Sequence, residues 1–76
     1  MLNETIKTIF FEVFEVSGIT MDTVLNDIES WDSLNHMKLI AALEGAFSIR
    51  FTFPEIVKLL SVKKIYETIE SKGVRL

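Results

Sequence analysis

Apolar residues recur with a helical period at the start of the chain. Ile6, Ile9, Phe10, Val13 and Phe14 fall at i, i+3, i+4, i+7 and i+8, which predicts a helix over 3–16 with one buried face. Asn3 is placed to cap it, and Gly18, after Ser17, to stop it. Residues 17–32 keep no period. They mix Thr20, Asp22, Thr23, Asn26, Asp27 and Ser30 with Ile19, Val24, Leu25 and Ile28 as anchors, and leave room for a short helical turn. A loop of this length in a small domain is uncommon and often functional.

The period returns over 33–47, with Asp32 or Ser33 as the cap. This second helix carries two apolar stripes. Leu39, Ile40, Leu43 and Phe47 form the core side, with His36 above them. Leu34, Met37 and Ala41 lie almost opposite, beside Lys38 and Gly45. The solvated back of a helix is normally charged, so an apolar, small-residue back reads as a docking surface. Pro54 suits the first turn of a short helix over 54–60, with Thr52 or Phe53 before it. Ser61 caps a last helix over 62–72, which buries Val62, Ile65, Tyr66 and Ile69 and closes at Lys72-Gly73. No segment alternates with a strand period. The expected fold is all-α, a four-helix bundle with a long loop between the first two helices and a short third helix, in a single domain spanning 1–76.

Composition narrows the function. The chain has 76 residues, no Cys and one His, so neither disulfides nor a zinc cluster can support it and stability must come from packing. Apolar residues make up 49%, with six Phe, which is enough for a core. The N-terminus lacks the pattern of a signal peptide, and no apolar run approaches a membrane span. A soluble, cytoplasmic, monomeric protein is expected, and Met1 together with a completed last helix points to one that stands alone. Net charge is −3, which argues against nucleic-acid binding. Residues 1–44 hold eight acids and two bases, and residues 45–76 three acids and six bases, so a basic partner would be steered to the first half.

The side chains offer little catalysis. No base–nucleophile pair with an orienting group and an oxyanion site is evident around Ser33 and His36, and no enzyme activity of the chain's own is expected. Chemistry would have to come from something attached. Ser33, in Glu29-Ser30-Trp31-Asp32-Ser33-Leu34, stands where the polar loop meets the second helix. That makes it an attachment point, or simply a capping serine.

The helix order and the Asp32-Ser33-Leu34 start of the second helix resemble the acyl carrier proteins. So does the register that follows, Leu34 then Leu39, Ile40, Leu43-Glu44 and Phe47, with Ile49-Arg50-Phe51 and Ser61-Val62 downstream. The resemblance covers nearly the whole chain. It implies that Ser33 carries 4′-phosphopantetheine taken from coenzyme A, and that a phosphopantetheinyl transferase with its own metal installs it. The cargo would then travel as a thioester between a loading enzyme and a downstream transferase or synthase. Asp32 would support Ser33 as helix cap, or by orienting the hydroxyl for the transferase.

The resemblance also implies a docking face on the second helix, here Leu34, Asn35, Met37, Lys38, Ala41 and Glu44. Carriers of fatty-acid synthesis are markedly acidic there, whereas this chain has Asn35, Lys38, Glu44 and Gly45 at the corresponding positions. The expectation is a specialised pathway with its own partner. Trp31 is either an exposed partner anchor or tucked between loop and helix. His36 either meets the arm or is a half-buried residue with one hydrogen bond. Phe51, Ile56, Leu59, Leu60, Ile65 and Ile69 either line an acyl pocket or are ordinary core, and a full core would favour short or polar cargo. Two alternatives stand beside the acyl carrier. One is an aminoacyl, D-alanyl or peptidyl carrier, although the Gly pair usual before a peptidyl carrier's serine is missing. The other is an unmodified helical interaction module using the Leu34-Met37-Ala41 stripe.

Overall fold

The computed structural model describes residues 2–76. Among these the chain forms four α-helices, α1 (Glu4–Phe14), α2 (Ser33–Phe47), α3 (Phe53–Lys58) and α4 (Val62–Ser71), with a single 3₁₀ turn at Leu25–Asp27 in the long first loop. The all-helical expectation holds.

Each helix starts where a side chain can take up a free first-turn N–H group. Asn3 Oδ1 accepts from Ile6 N–H at 3.1 Å, Asp32 Oδ1 from Asn35 N–H at 2.8 Å, and Ser61 Oγ from Lys64 N–H at 3.0 Å. At α3 the cap is reciprocal. Thr52 Oγ1 accepts from Glu55 N–H at 3.3 Å, while Glu55 Oε1 accepts from Thr52 N–H at 2.8 Å.

The helix ends differ from the sequence reading in three places. α1 stops at Phe14, because Glu15 already takes the left-handed conformation (φ 57°) and donates its N–H to the Phe11 carbonyl. Gly18, the expected stop, lies beyond it in the loop at φ 75°. α3 runs 53–58, not 54–60, because Leu59 and Leu60 leave the helix to meet the first loop. There the Leu60 carbonyl accepts from Leu25 N–H at 2.9 Å and the Thr23 carbonyl from Val62 N–H at 3.0 Å. Val24 therefore anchors the loop through the backbone pairing with Ser61, while its side chain is exposed. α4 ends one residue early, with Lys72 as its C-cap and Gly73 at φ 89° turning the chain away.

The core is built from Ile6, Ile9, Phe10 and Phe14 of α1, Leu39, Ile40 and Leu43 of α2, and Val62, Ile65, Tyr66 and Ile69 of α4. Ile19, Ile28 and Trp31 of the first loop close one end, and Phe51 and Leu59 flank α3. Not all six Phe contribute to it. Phe47 is half-buried and packs against the core as expected, whereas Phe11 and Phe53 project into solvent.

Candidate functional site

Ser33 is the first residue of α2 and is exposed, as is Asp32 before it. The Asp32 backbone is extended (φ −106°, ψ −177°), so its carboxylate folds over the helix start. Its carbonyl accepts from His36 N–H at 2.8 Å while its carboxylate takes the Asn35 N–H. The N–H groups of Ser33 and Leu34 remain at the open end of the helix, where the partial positive charge of the peptide dipoles collects.

A chain of hydrogen bonds fixes this start to the rest of the fold. Asn35 Nδ2 donates to the Ser30 carbonyl at 2.9 Å, and the Ser30 hydroxyl donates to the Phe14 carbonyl at the end of α1, at 3.1 Å. Trp31 strengthens the tie. Its ring packs at 5.5 Å edge-on to Phe10 and at 5.2 Å to Phe14. Only 4% of Trp31 is exposed, so of its two readings the structure shows the tucked one, with the small exposed remainder on the groove beside Ser33. The aromatic residues of α1 offer more contact than solvent does, and that decides its place.

His36 is half-buried and makes two hydrogen bonds, not one. The Trp31 indole N–H donates to His36 Nδ1 at 2.9 Å. His36 Nε2 lies 2.8 Å from the Ile56 carbonyl. An indole only donates and a carbonyl only accepts, so in this arrangement Nδ1 is the acceptor and Nε2 the donor. The first loop, α2 and α3 meet at this one imidazole.

An open groove of about 640 Å³ starts at Ser33 and runs between α2 and α3. His36, Met37, Phe53, Ile56, Val57 and Leu60 make up much of its wall. The six residues considered for an acyl pocket therefore divide. Phe51, Leu59, Ile65 and Ile69 are core, and Ile56 and Leu60 belong to the groove. Phe53, 75% exposed, is a further residue of this groove, beyond the candidate site residues of the sequence. The signal was there: Thr52-Phe53-Pro54-Glu55 is a capping box, which makes Phe53 the first helical residue.

The docking stripe splits in the same way. Leu34 (68% exposed) and Met37 (51%) face solvent with Lys38 and Ala41. Asn35 and Glu44 are only half-exposed and hold the fold: Asn35 through Ser30, and Glu44 by accepting from Phe51 N–H at 3.0 Å.

No family model matches the sequence. An acyl carrier protein of Buchnera aphidicola is 33% identical over 76 residues, covering 97% of this chain and 95% of that protein. The chain belongs to the acyl carrier protein family. Solved structures agree. A holo acyl carrier protein from Geobacter metallireducens superimposes with a TM-score of 0.80 at 38% identity, over 92% of this chain and 83% of that one. A putative acyl carrier protein from Mycobacterium tuberculosis gives a TM-score of 0.82 at 28% identity, over 91% and 95%. Acyl carrier proteins are carriers and not themselves enzymes, and the family implies a phosphopantetheine group handled by a transferase and by acyl-transferring enzymes. Among the described residues no helix of this acyl carrier protein is long and apolar enough to cross a membrane.

Proposed function

We propose that Ser33 is the attachment point of 4′-phosphopantetheine and that the chain carries an acyl group as a thioester on that arm. The observation behind this is the setting of Ser33: an exposed hydroxyl on the first turn of α2, beside free N–H groups and at the head of an apolar groove. The residues fit the group. A phosphodiester on Ser33 Oγ would sit against the positive end of α2, with the Ser33 and Leu34 N–H groups within its reach. Asp32 holds the first turn in shape through its cap. His36, Met37 and Phe53 offer apolar surface to the arm. When bound, the arm supplies the thiol that this Cys-free chain lacks, on a tether that raises the local concentration of cargo at each enzyme.

Attachment forms an Oγ–phosphorus bond on Ser33 and breaks the pyrophosphate bond of coenzyme A. Adenosine 3′,5′-bisphosphate leaves, and the Ser33 hydroxyl proton passes to a base on the transferase. The cargo pathway is a specialised one, and its partner is apolar at the contact. This reading is supported by the exposed Leu34, Met37, Ala41 and Lys38, which replace the acidic face that fatty-acid enzymes recognise.

The test is incubation with coenzyme A and a broad-specificity phosphopantetheinyl transferase, followed by intact mass. One phosphopantetheine should be gained by the parent chain and none by Ser33→Ala. A parent chain that stays unmodified, or a Ser33→Ala chain that is still modified, overturns the assignment.

A further inference from the structure

We propose that His36 is a latch that sets which cargo this carrier can shelter. It ties α3 down onto α2 and shuts the seam through which an acyl chain would enter the core, so the cargo stays in the open groove. The inference rests on the carrier reading of Ser33.

The argument begins with α3. Six residues are too few to hold a helix unaided, so α3 depends on what grips it. At its start the grip is the capping box and the Glu55–Lys72 ion pair at 2.8 Å. At its end the last carbonyls have no partner further along the helix. There the Ile56 carbonyl receives a 2.8 Å hydrogen bond from His36 Nε2, shorter than the 3.3 Å one from Leu59 N–H. The latch is rigid from behind. Trp31 fixes the imidazole through Nδ1 and lies against it, ring centroids 6.1 Å apart and 24° between planes, and Trp31 is itself seated on Phe10 and Phe14.

Beneath the latch there is no room. Leu39, Leu43, Leu59, Val62, Ile65 and Ile69 have no exposed surface at all, so a chain can be buried only if α3 moves away from α2. An aliphatic chain tethered at Ser33 gains by leaving water, by about 0.8 kcal/mol for each CH₂ buried. With both hydrogen bonds of His36 made, that gain meets a closed wall. His36 lies one turn after Ser33 and lines the same groove, so the barrier stands at the point where a chain would turn inward.

The experiment loads the apo chain with acetyl- or decanoyl-phosphopantetheine from the two acyl-coenzyme A thioesters and compares how fast hydroxylamine cleaves each. In the parent the two rates should agree within about twofold, since neither thioester is sheltered. In His36→Leu, which keeps apolar bulk but loses both hydrogen bonds, the decanoyl thioester should be cleaved about tenfold more slowly than the acetyl one, a preference of about 1.4 kcal/mol for the sheltered state. Trp31→Phe, which keeps the aromatic packing and removes only the indole N–H, should fall between. A fold that is merely loosened would speed both cleavages together, so slowing confined to the long chain reports entry. Protection of decanoyl already present in the parent, or absent from both folded variants, overturns the latch. If neither acyl-phosphopantetheine attaches, the reading of Ser33 has failed instead.

Discussion

At the scale of single residues, the site is positioned by side chains that do no chemistry. Trp31 looks, in the sequence, like an aromatic waiting for a partner. In the structure it already has partners, and its indole N–H makes Nδ1 of His36 the accepting nitrogen. Asp32 is the residue whose two roles can be separated. Its side chain caps α2, a contribution of about 1 kcal/mol by analogy with other caps, and Asn caps as well as Asp does. Asp32→Asn should therefore melt within about 1 °C of the parent, whereas Asp32→Ala should melt about 4–8 °C lower. If capping is the whole role, phosphopantetheine transfer to Asp32→Asn should keep the parent kcat/KM. A fall of about tenfold or more without a change in melting temperature would assign the carboxylate to the transferase reaction. Thermal unfolding by circular dichroism and transfer kinetics on the same samples decide it.

At the scale of elements, α3 is held by charge as well as by His36. The ammonium of Lys72 beside Glu55, with the Thr52 N–H second, holds the Glu55 carboxyl below its ordinary value. Lys72 also lies 5.5 Å over the Phe51 ring, so one side chain joins the end of α4, the linker before α3 and α3 itself. A lowered folded pKa gives stability that is present above the unfolded value and lost as pH falls through the folded one. Glu55→Gln should thus melt below the parent near pH 6, and the gap should close as pH drops below about 4.5. Because the pair is partly exposed, the gap is small and should shrink in high salt. Melting curves over pH 3–7 at two salt concentrations measure it; a gap that widens in acid would remove the pair from the account. The elements also show what was legible in the sequence. Helix starts were, because a capping side chain is a local event: Asn3, Asp32, Thr52 and Ser61 all stand where their residue types say. Helix ends were less so. Glu15 and Ser48 take left-handed backbone without being Gly, as the chain's course to its next anchor requires. The α3 end depends on Leu60 meeting Leu25, a pairing 35 residues apart in sequence. The place of Ser33 on the first turn of α2 was legible for the same local reason as the caps. The latch at His36 was not, because Trp31 and Ile56 come to it from two other elements.

At the scale of the whole molecule, the question is which enzymes the surface selects. The first 44 residues hold eight acids against two bases, yet the helix that opens at Ser33 shows Lys38 and Gly45 on its exposed side, among Leu34, Met37 and Ala41. Its Glu44 is occupied with Phe51 N–H. An enzyme that recognises carriers through a basic patch finds neither the charges it needs nor a neutral surface, because Lys38 repels it. Electrostatic steering acts mostly on the encounter rate and is screened by salt over about 10 Å at 0.1 M. The charge can be restored without disturbing the core. Lys38 is exposed, and a Cβ added at Gly45 meets nothing within 4 Å. Lys38→Glu combined with Gly45→Glu should therefore raise kcat/KM for loading by a fatty-acid-type acyltransferase by about tenfold or more at low ionic strength. Most of that gain should vanish at about 0.5 M salt. For a partner that meets the apolar stripe, the parent's kcat/KM should vary less than about threefold over the same salt range, and Met37→Ala should lower it at either salt. Steady-state loading rates at the two ionic strengths separate these cases. A parent chain already loaded efficiently by the fatty-acid enzyme, with a steep loss in salt, would place this carrier in ordinary fatty-acid synthesis despite its surface.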